Sequence, residues 1–184
     1  MPETSSQSEY RSIEFLSDLR SRSRLFLAGM TGIAAVWAIL ILAAPVAAAS
    51  ALESLSGPLY DFFGYVCHQL PDRSFHLLEH KLAVCSRCSG VYFGLLGGLL
   101  AYPFVRPLDN SDPLPRFWLF ASMVPIAADW SLGYFGVIEN SHFSRVITGL
   151  ILGVGCAIFI APALIELAEI SLRRSALKSR KATS

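Results

Sequence analysis

A chain of 184 residues that is 53% hydrophobic, only 16% charged and has a mean hydropathy of +0.50 is too apolar for a water-soluble domain of its size. Its net charge of +1 hides an asymmetry, because basic residues crowd the two ends and thin out through the middle. That pattern belongs to membrane orientation and gives nucleic-acid binding no support, so the composition predicts an all-α integral membrane protein.

Residues 1–24 form a polar and basic N-terminal tail with Ser5, Ser6, Ser8 and Arg11, which is either disordered or, through the spacing of Ile13, Phe15, Leu16 and Leu19, a short amphipathic helix on a membrane surface. From 25 to 50 no residue is charged, and about 20 apolar residues suffice to cross the hydrocarbon core. The small residues Ala47, Ala48, Ala49 and Ser50 resemble a signal-peptide cleavage site. The apolar run is longer than the roughly 7–15 residues of a signal h-region, so it reads as a retained first span, 25–48. An outward loop, 51–83, follows, in which Pro58 suits the first turn of a short interfacial helix carrying Leu59, Phe62, Phe63 and Val66. The end of that helix delivers Cys67 and His68 to the membrane boundary.

The second span covers 84–105, and Gly90, Gly94, Gly97 and Gly98 strip side chains from part of its surface so that a neighbouring helix can approach. After a polar turn through Asp109, Asn110, Ser111, Asp112 and Pro113, the third span, 117–138, carries a single charge at Asp129. The fourth, 145–165, starts at Arg145 and presents Thr148, Gly149 and Gly153 as a second small-residue face. Residues 166–184 form a basic tail. Four spans across 25–165 place eleven of the 15 Lys and Arg residues with the two termini and four on the opposite side. By the positive-inside rule both termini are cytoplasmic and the loop faces outward, in the inner (plasma) membrane of a bacterium or archaeon. The basic clusters then meet anionic lipid headgroups.

The chemistry lies in Cys67 and His68, answered by Cys85 and Cys88. A Cys-x-x-Cys puts two sulfurs within reach of one ion, and Cys67 with His68 fills a tetrahedral set for which zinc is the first choice. Cuprous copper and iron also accept thiolate and imidazole. Adjacent residues are awkward to aim at one ion, so His68 has a second role open to it as a support, with His76, His80 and His142 as substitutes. The same spacing allows two other readings. Cys85 and Cys88 at a helix start, beside Arg87, suit a membrane thiol-disulfide oxidoreductase, although known four-span electron relays of that kind use two cysteine pairs and only three cysteines face outward here. Alternatively, a disulfide from Cys67 to Cys85 or Cys88 clips the loop to the second span. Covalent haem is excluded because Ser89, not histidine, follows the pair. Cys156 lies mid-membrane as a small hydrophobe.

Asp129 inside a span needs a partner, and Arg87 and Arg145 both lie at the right depth to tie the spans together beneath the cysteines. No phosphate-cradling loop, serine nucleophile with its base, or pair of general-acid carboxylates emerges from the sequence, and it names no substrate.

These residues resemble an uncharacterised family of small prokaryotic membrane proteins, domain of unknown function 2085. The resemblance rests on Cys67, His68, Gln69, Pro71, Arg73, Ser74 and Phe75. It continues through Cys85, Arg87, Cys88, Gly90, Tyr92 and Gly94, and ends at Asp129, Arg145, Thr148 and Gly149. It covers about the central half of the chain and implies a membrane fold without an activity, leaving a non-enzymatic subunit or assembly factor, packing through its glycine faces against a membrane-protein partner or a second copy, as a third reading. The segment from Leu77 to Lys81 departs from the glycine-containing loop that the resemblance implies.

Overall fold

The computed structural model describes the backbone of residues 3–109, 112 and 115–182, with side chains described between 13 and 175. Five α-helices account for most of it: α1 (Glu3–Ala49), α2 (Glu53–Gly64), α3 (Ser86–Val105), α4 (Phe117–Tyr134) and α5 (His142–Ala182). A 3-10 turn (Pro71–Arg73) and a two-stranded hairpin, β1 (His76–Leu77) and β2 (His80–Lys81), lie between α2 and α3.

Among the described residues, three helical segments are long and apolar enough to cross a membrane: Ile13–Ala49, Ser86–Val105 and His142–Ser175. The expected third span, α4, is 18 residues long and is not among them, because Asp129, Trp130 and Ser131 dilute its hydropathy. It ends at Tyr134, earlier than the expected 138, and the reason is local. Gly136 adopts φ +67°, and the Val137 amide reaches back to the Leu132 carbonyl at 3.0 Å, a glycine-dependent C-cap that reverses the chain.

The terminal segments also differ from expectation. α1 is one helix of 47 residues and α5 one of 41, so the described parts of both tails continue their spans. The described part of neither tail holds a glycine or proline, and side chains tie the two together. Arg22 donates to Ser171 Oγ at 3.2 Å and Arg173 lies over the Phe15 ring, while Arg20 pairs with Asp109 of the polar turn at 2.7 Å. Leu19, Ser23 and Leu27, four residues apart, form the buried stripe of α1 in this region. The side chains of Ser5, Ser6, Ser8 and Arg11, the basic side chains beyond 175, and Asn110, Ser111 and Pro113 of the polar turn lie outside what is described.

α2 begins at Glu53, so Pro58 falls inside it and not in its first turn. At that position proline removes a single hydrogen bond, and Phe63 still turns fully inward.

The centre of the bundle is a seam of glycines. A Cβ on Gly90, Gly94 or Gly98 of α3 would come within 2.4–2.6 Å of α5, and one on Gly149 or Gly153 of α5 within 2.2–2.3 Å of the α3 backbone. Real Cβ contacts are never so short, so only hydrogen fits at all five positions. Gly97 is different: it faces outward, with nothing within 4 Å. The expected glycine faces are therefore mostly spent inside the molecule, which removes the reason for reading them as a surface for partner proteins. Thr148 instead bonds the Ser144 carbonyl of its own helix at 2.9 Å.

Two buried clusters line the bundle. One joins Leu27 and Ala34 of α1 to Leu99, Tyr102, Ala157 and Ile165. The other packs Ile41, Ala44 and Phe63 against Cys67, Ala83 and Val84, with Trp37 beside it in edge contact with Phe62 and Phe63. The first cluster contains the end of α3 and the second its approach, so α1 and α3 run antiparallel. The second also places Cys67 against the residues that lead into Cys85.

Candidate metal centre

Local backbone chemistry aims each cysteine. Cys67 follows α2, its amide still bonded to the Phe63 carbonyl at 2.9 Å, and is buried. Cys85 is the N-cap of α3 in an extended conformation (φ −68°, ψ 162°), its carbonyl accepting from the Ser89 amide at 2.9 Å. Cys88 stands within the first turn of that helix. This cap-and-first-turn placement turns a Cys-x-x-Cys toward one point. The Cys85 amide donates to Cys67 Sγ at 3.2 Å and closes the figure.

The three sulfurs lie within 4.8 Å of one another. Sulfurs bound tetrahedrally at about 2.3 Å from zinc stand roughly 3.8 Å apart, so small side-chain rotations bring these three onto one ion. All three thiols are free. Hydrogen bonds from Cys67 first and then Cys88 hold the Cys85 pKa well below that of an ordinary thiol, against the opposing effect of burial. A sulfur favoured as thiolate, beside two more, is a donor set for a soft or borderline cation.

His68 is exposed and does not belong to this triad; it stands on the wall of a cavity of about 380 Å³ that the three cysteines also line. Of the substitutes, His76 and His80 are in the hairpin. His142 Nδ1 lies 2.7 Å from Ser86 Oγ, which donates to the Arg73 carbonyl at 2.9 Å. With its proton so committed, Ser86 accepts from His142, which requires Nδ1 to carry hydrogen. Ser86 is completely buried, so this pair is a clamp joining the loop, α3 and α5, not an exposed nucleophile and base.

A second clamp fixes the loop from the other side. The Gln69 side chain donates to the Tyr60 carbonyl at 2.6 Å, the Tyr60 hydroxyl donates to the Lys81 carbonyl at 2.5 Å, and Lys81 Nζ returns to the Gln69 carbonyl at 3.0 Å. Burial raises the Tyr60 pKa and keeps its hydroxyl a donor. The hairpin hangs on this ring. Its turn places Leu78 at φ 53° and Glu79 at φ 65°, left-handed positions that glycine or asparagine would occupy with less strain. A tight turn thus forms without the glycine that the resemblance implies. None of these partners follows from the sequence, since 56 residues separate Ser86 from His142 and no periodicity links them.

The buried charge finds its partner in Arg87. Its guanidinium is hydrogen-bonded to Asp129, linking α3 to α4, and the Asn140 side chain adds a second donor to Asp129 Oδ2 at 3.0 Å. Arg145 makes no salt bridge among the described residues and, with Arg73, faces the cysteine-lined cavity. Cys156 lies within α5, away from the triad.

This geometry sits at the start of a segment with known counterparts. Residues 67–159 match the family described as predicted membrane protein, DUF2085. The chain belongs to that family. An uncharacterized protein of Methanocaldococcus jannaschii is 38% identical over 109 residues, 59% of this chain and 70% of its own length. An uncharacterized protein of Methanothermobacter thermautotrophicus is 33% identical over 96 residues, 52% of this chain and 85% of its own length. No solved structure matches. The matched region begins at Cys67 and includes Cys85, Cys88, Asp129, Arg145 and all five glycines of the seam.

Proposed function

We propose that this family member is a four-span protein of the plasma membrane that holds one zinc ion on Cys67, Cys85 and Cys88 at the extracytoplasmic boundary. The observation that carries the reading is the convergence of three sulfurs within 4.8 Å at a helix mouth. His68, on the wall of the cavity that the three cysteines line, would be the nearest candidate for a fourth ligand, and a water could take that place instead. Arg73, Arg87, Asp129 and Arg145 support the site, the Arg87–Asp129 pair by anchoring α3 to α4.

In this reading α4 also crosses the membrane, as the third of the four spans. Its 18 residues rise about 27 Å, close to the hydrocarbon thickness, and Phe117, Phe120 and Val124 are well exposed to lipid. Both termini then lie in the cytoplasm, where the basic tails meet anionic headgroups. Zinc suits the donors because thiolates bind it strongly without redox change; the site would hold α2, the loop and α3 together and polarise whatever occupies the open position.

Elemental analysis of purified protein tests the proposal: about one zinc per chain is expected, lost in Cys88→Ser. Metal-free protein with an unaltered fold would refute it. The lowered Cys85 thiol also favours thiol exchange as a second reading. Reductant-dependent alkylation of Cys85 and Cys88 would support that reading, whereas protection of both by zinc alone would count against it.

A further inference from the structure

The cavity floored by the cysteines is walled by Arg73, Arg87 and Arg145, and among the described residues no carboxylate lines it. The guanidiniums come from three places in the chain: the 3-10 turn, the first turn of α3 and the first turn of α5. Gathering three like charges at one cavity is unfavourable unless something neutralises them. Asp129 answers one, through Arg87. Neither Arg73 nor Arg145 forms a salt bridge among the described residues, and Arg87 Nε is buried with no hydrogen-bond partner. A second cavity of about 550 Å³ shares the same three arginines but is also lined by Asp72 and Glu139, so the cysteine side is the more electropositive face.

The thiolates do not absorb this surplus. Three thiolates around a divalent ion leave one negative charge, against the two positive charges of Arg73 and Arg145. We infer that the cavity binds a phosphate-class oxyanion, a phosphomonoester group carried either by a soluble molecule or by a lipid headgroup, on Arg73, Arg87 and Arg145. A carboxylate offers two oxygens in one plane, while a phosphoryl group presents oxygens on several faces and can accept from donors arriving from three elements. The volume of about 380 Å³ is at the low end for ligand sites and accommodates such a group. Val66, Leu70 and Trp130, all substantially exposed, rim the same cavity and offer apolar contact to whatever carries the phosphate.

This inference extends the zinc reading to the ligand of the same cavity and rests on it for the ion beside the anion and for the thiolate charge that the ion neutralises; the arginines themselves are present with or without metal. The test is titration calorimetry of the full chain in neutral detergent, in zinc-loaded and Cys88→Ser forms. The probes are inorganic phosphate, glycerol 3-phosphate and dihexanoyl phosphatidic acid. Saturable binding of at least one probe is expected, weakened at least tenfold in Arg145→Gln and in Arg73→Gln, with partial recovery in Arg145→Lys. Binding by all three probes assigns a soluble phosphomonoester, and binding by the lipid alone assigns a headgroup; both outcomes support the site. Arg73 is exposed and makes no ion pair, so Arg73→Gln keeps the test decisive if Arg145→Gln fails to fold. Binding that is absent for every probe, or unchanged in Arg73→Gln, overturns the inference and leaves the arginines as charge compensation for the thiolates. A protein that carries no zinc yet binds phosphate through Arg73 refutes the metal reading and leaves this one standing.

Discussion

Replacing Gly149 by alanine should open the bundle just below the site, whereas the same replacement at Gly97 should not. The added Cβ at Gly149 would lie 2.3 Å from the Arg87 carbonyl oxygen, 3.0 Å from the Val91 amide nitrogen and 3.1 Å from Gly90 Cα, all backbone atoms that cannot swing aside. Restoring a carbon–oxygen contact of about 3.4 Å requires the two helices to separate locally by roughly 1 Å. The Ser86–His142 contact of 2.7 Å spans the same gap, and such a shift carries it past hydrogen-bonding range. Overpacking of this kind costs about 1–3 kcal/mol, and the lost clamp adds about 1. Alanine returns up to about 1 kcal/mol of helix propensity at either position. Gly97 has nothing within 4 Å, so it receives the gain without the clash. The two variants should therefore differ by about 2–4 kcal/mol, or roughly 5–10 °C in midpoint when thermal unfolding is followed by circular dichroism in one detergent. Equal midpoints, or a more stable Gly149→Ala, would refute the close-packed seam.

Three further outcomes follow from the same structure. Asp129→Asn leaves the Arg87 guanidinium without its counter-charge beside the bundle interior and should destabilise by about 3 kcal/mol, read as an earlier unfolding midpoint; an unchanged midpoint would mean that the pair is not needed. Glu79→Gly relieves a left-handed residue in the hairpin turn and should stabilise by about 1 kcal/mol without altering metal content. The Arg20 hydrogen bond holds the Asp109 pKa below its usual value, so the associated stability is full above the unfolded carboxyl pKa and is lost as pH falls through the folded one. Solvent exposure keeps the effect small, and comparison of unfolding midpoints from pH 6 downward should show a shallower acid decline in Arg20→Gln than in the parent.

The parts of the fold visible in the sequence are those written in local composition. Apolar runs marked three of the four expected spans, Cys-x-x-Cys marked a helix mouth, and Gly90, Gly94, Gly149 and Gly153 marked a close approach that the structure builds between α3 and α5. Helix ends were legible only where a stop signal existed. Pro103 and Pro107 bracket the end of α3 at Val105, but α1 and α5 run on through their polar segments because nothing in those segments breaks a helix. α4 stops early because Gly136 turns the chain, a role that a lone glycine near a span end does not declare.

At the site, Cys67, Cys85 and Cys88 could be grouped from spacing and chemistry, while the exposure of His68 could not, since a residue beside a ligand has no required direction. The sequence left Asp129 with two candidate arginines, and the choice of Arg87 depends on how α4 is rotated. The Ser86–His142 and Gln69–Tyr60–Lys81 clamps join distant segments through single polar contacts and leave no periodic trace.

X-ray absorption at the zinc edge of the purified protein probes most directly whether Cys67, Cys85 and Cys88 share one ion. Three sulfur neighbours at about 2.3 Å are expected, with one lighter atom completing the shell. A shell of nitrogen and oxygen alone, or one with a single sulfur, would contradict the shared ion.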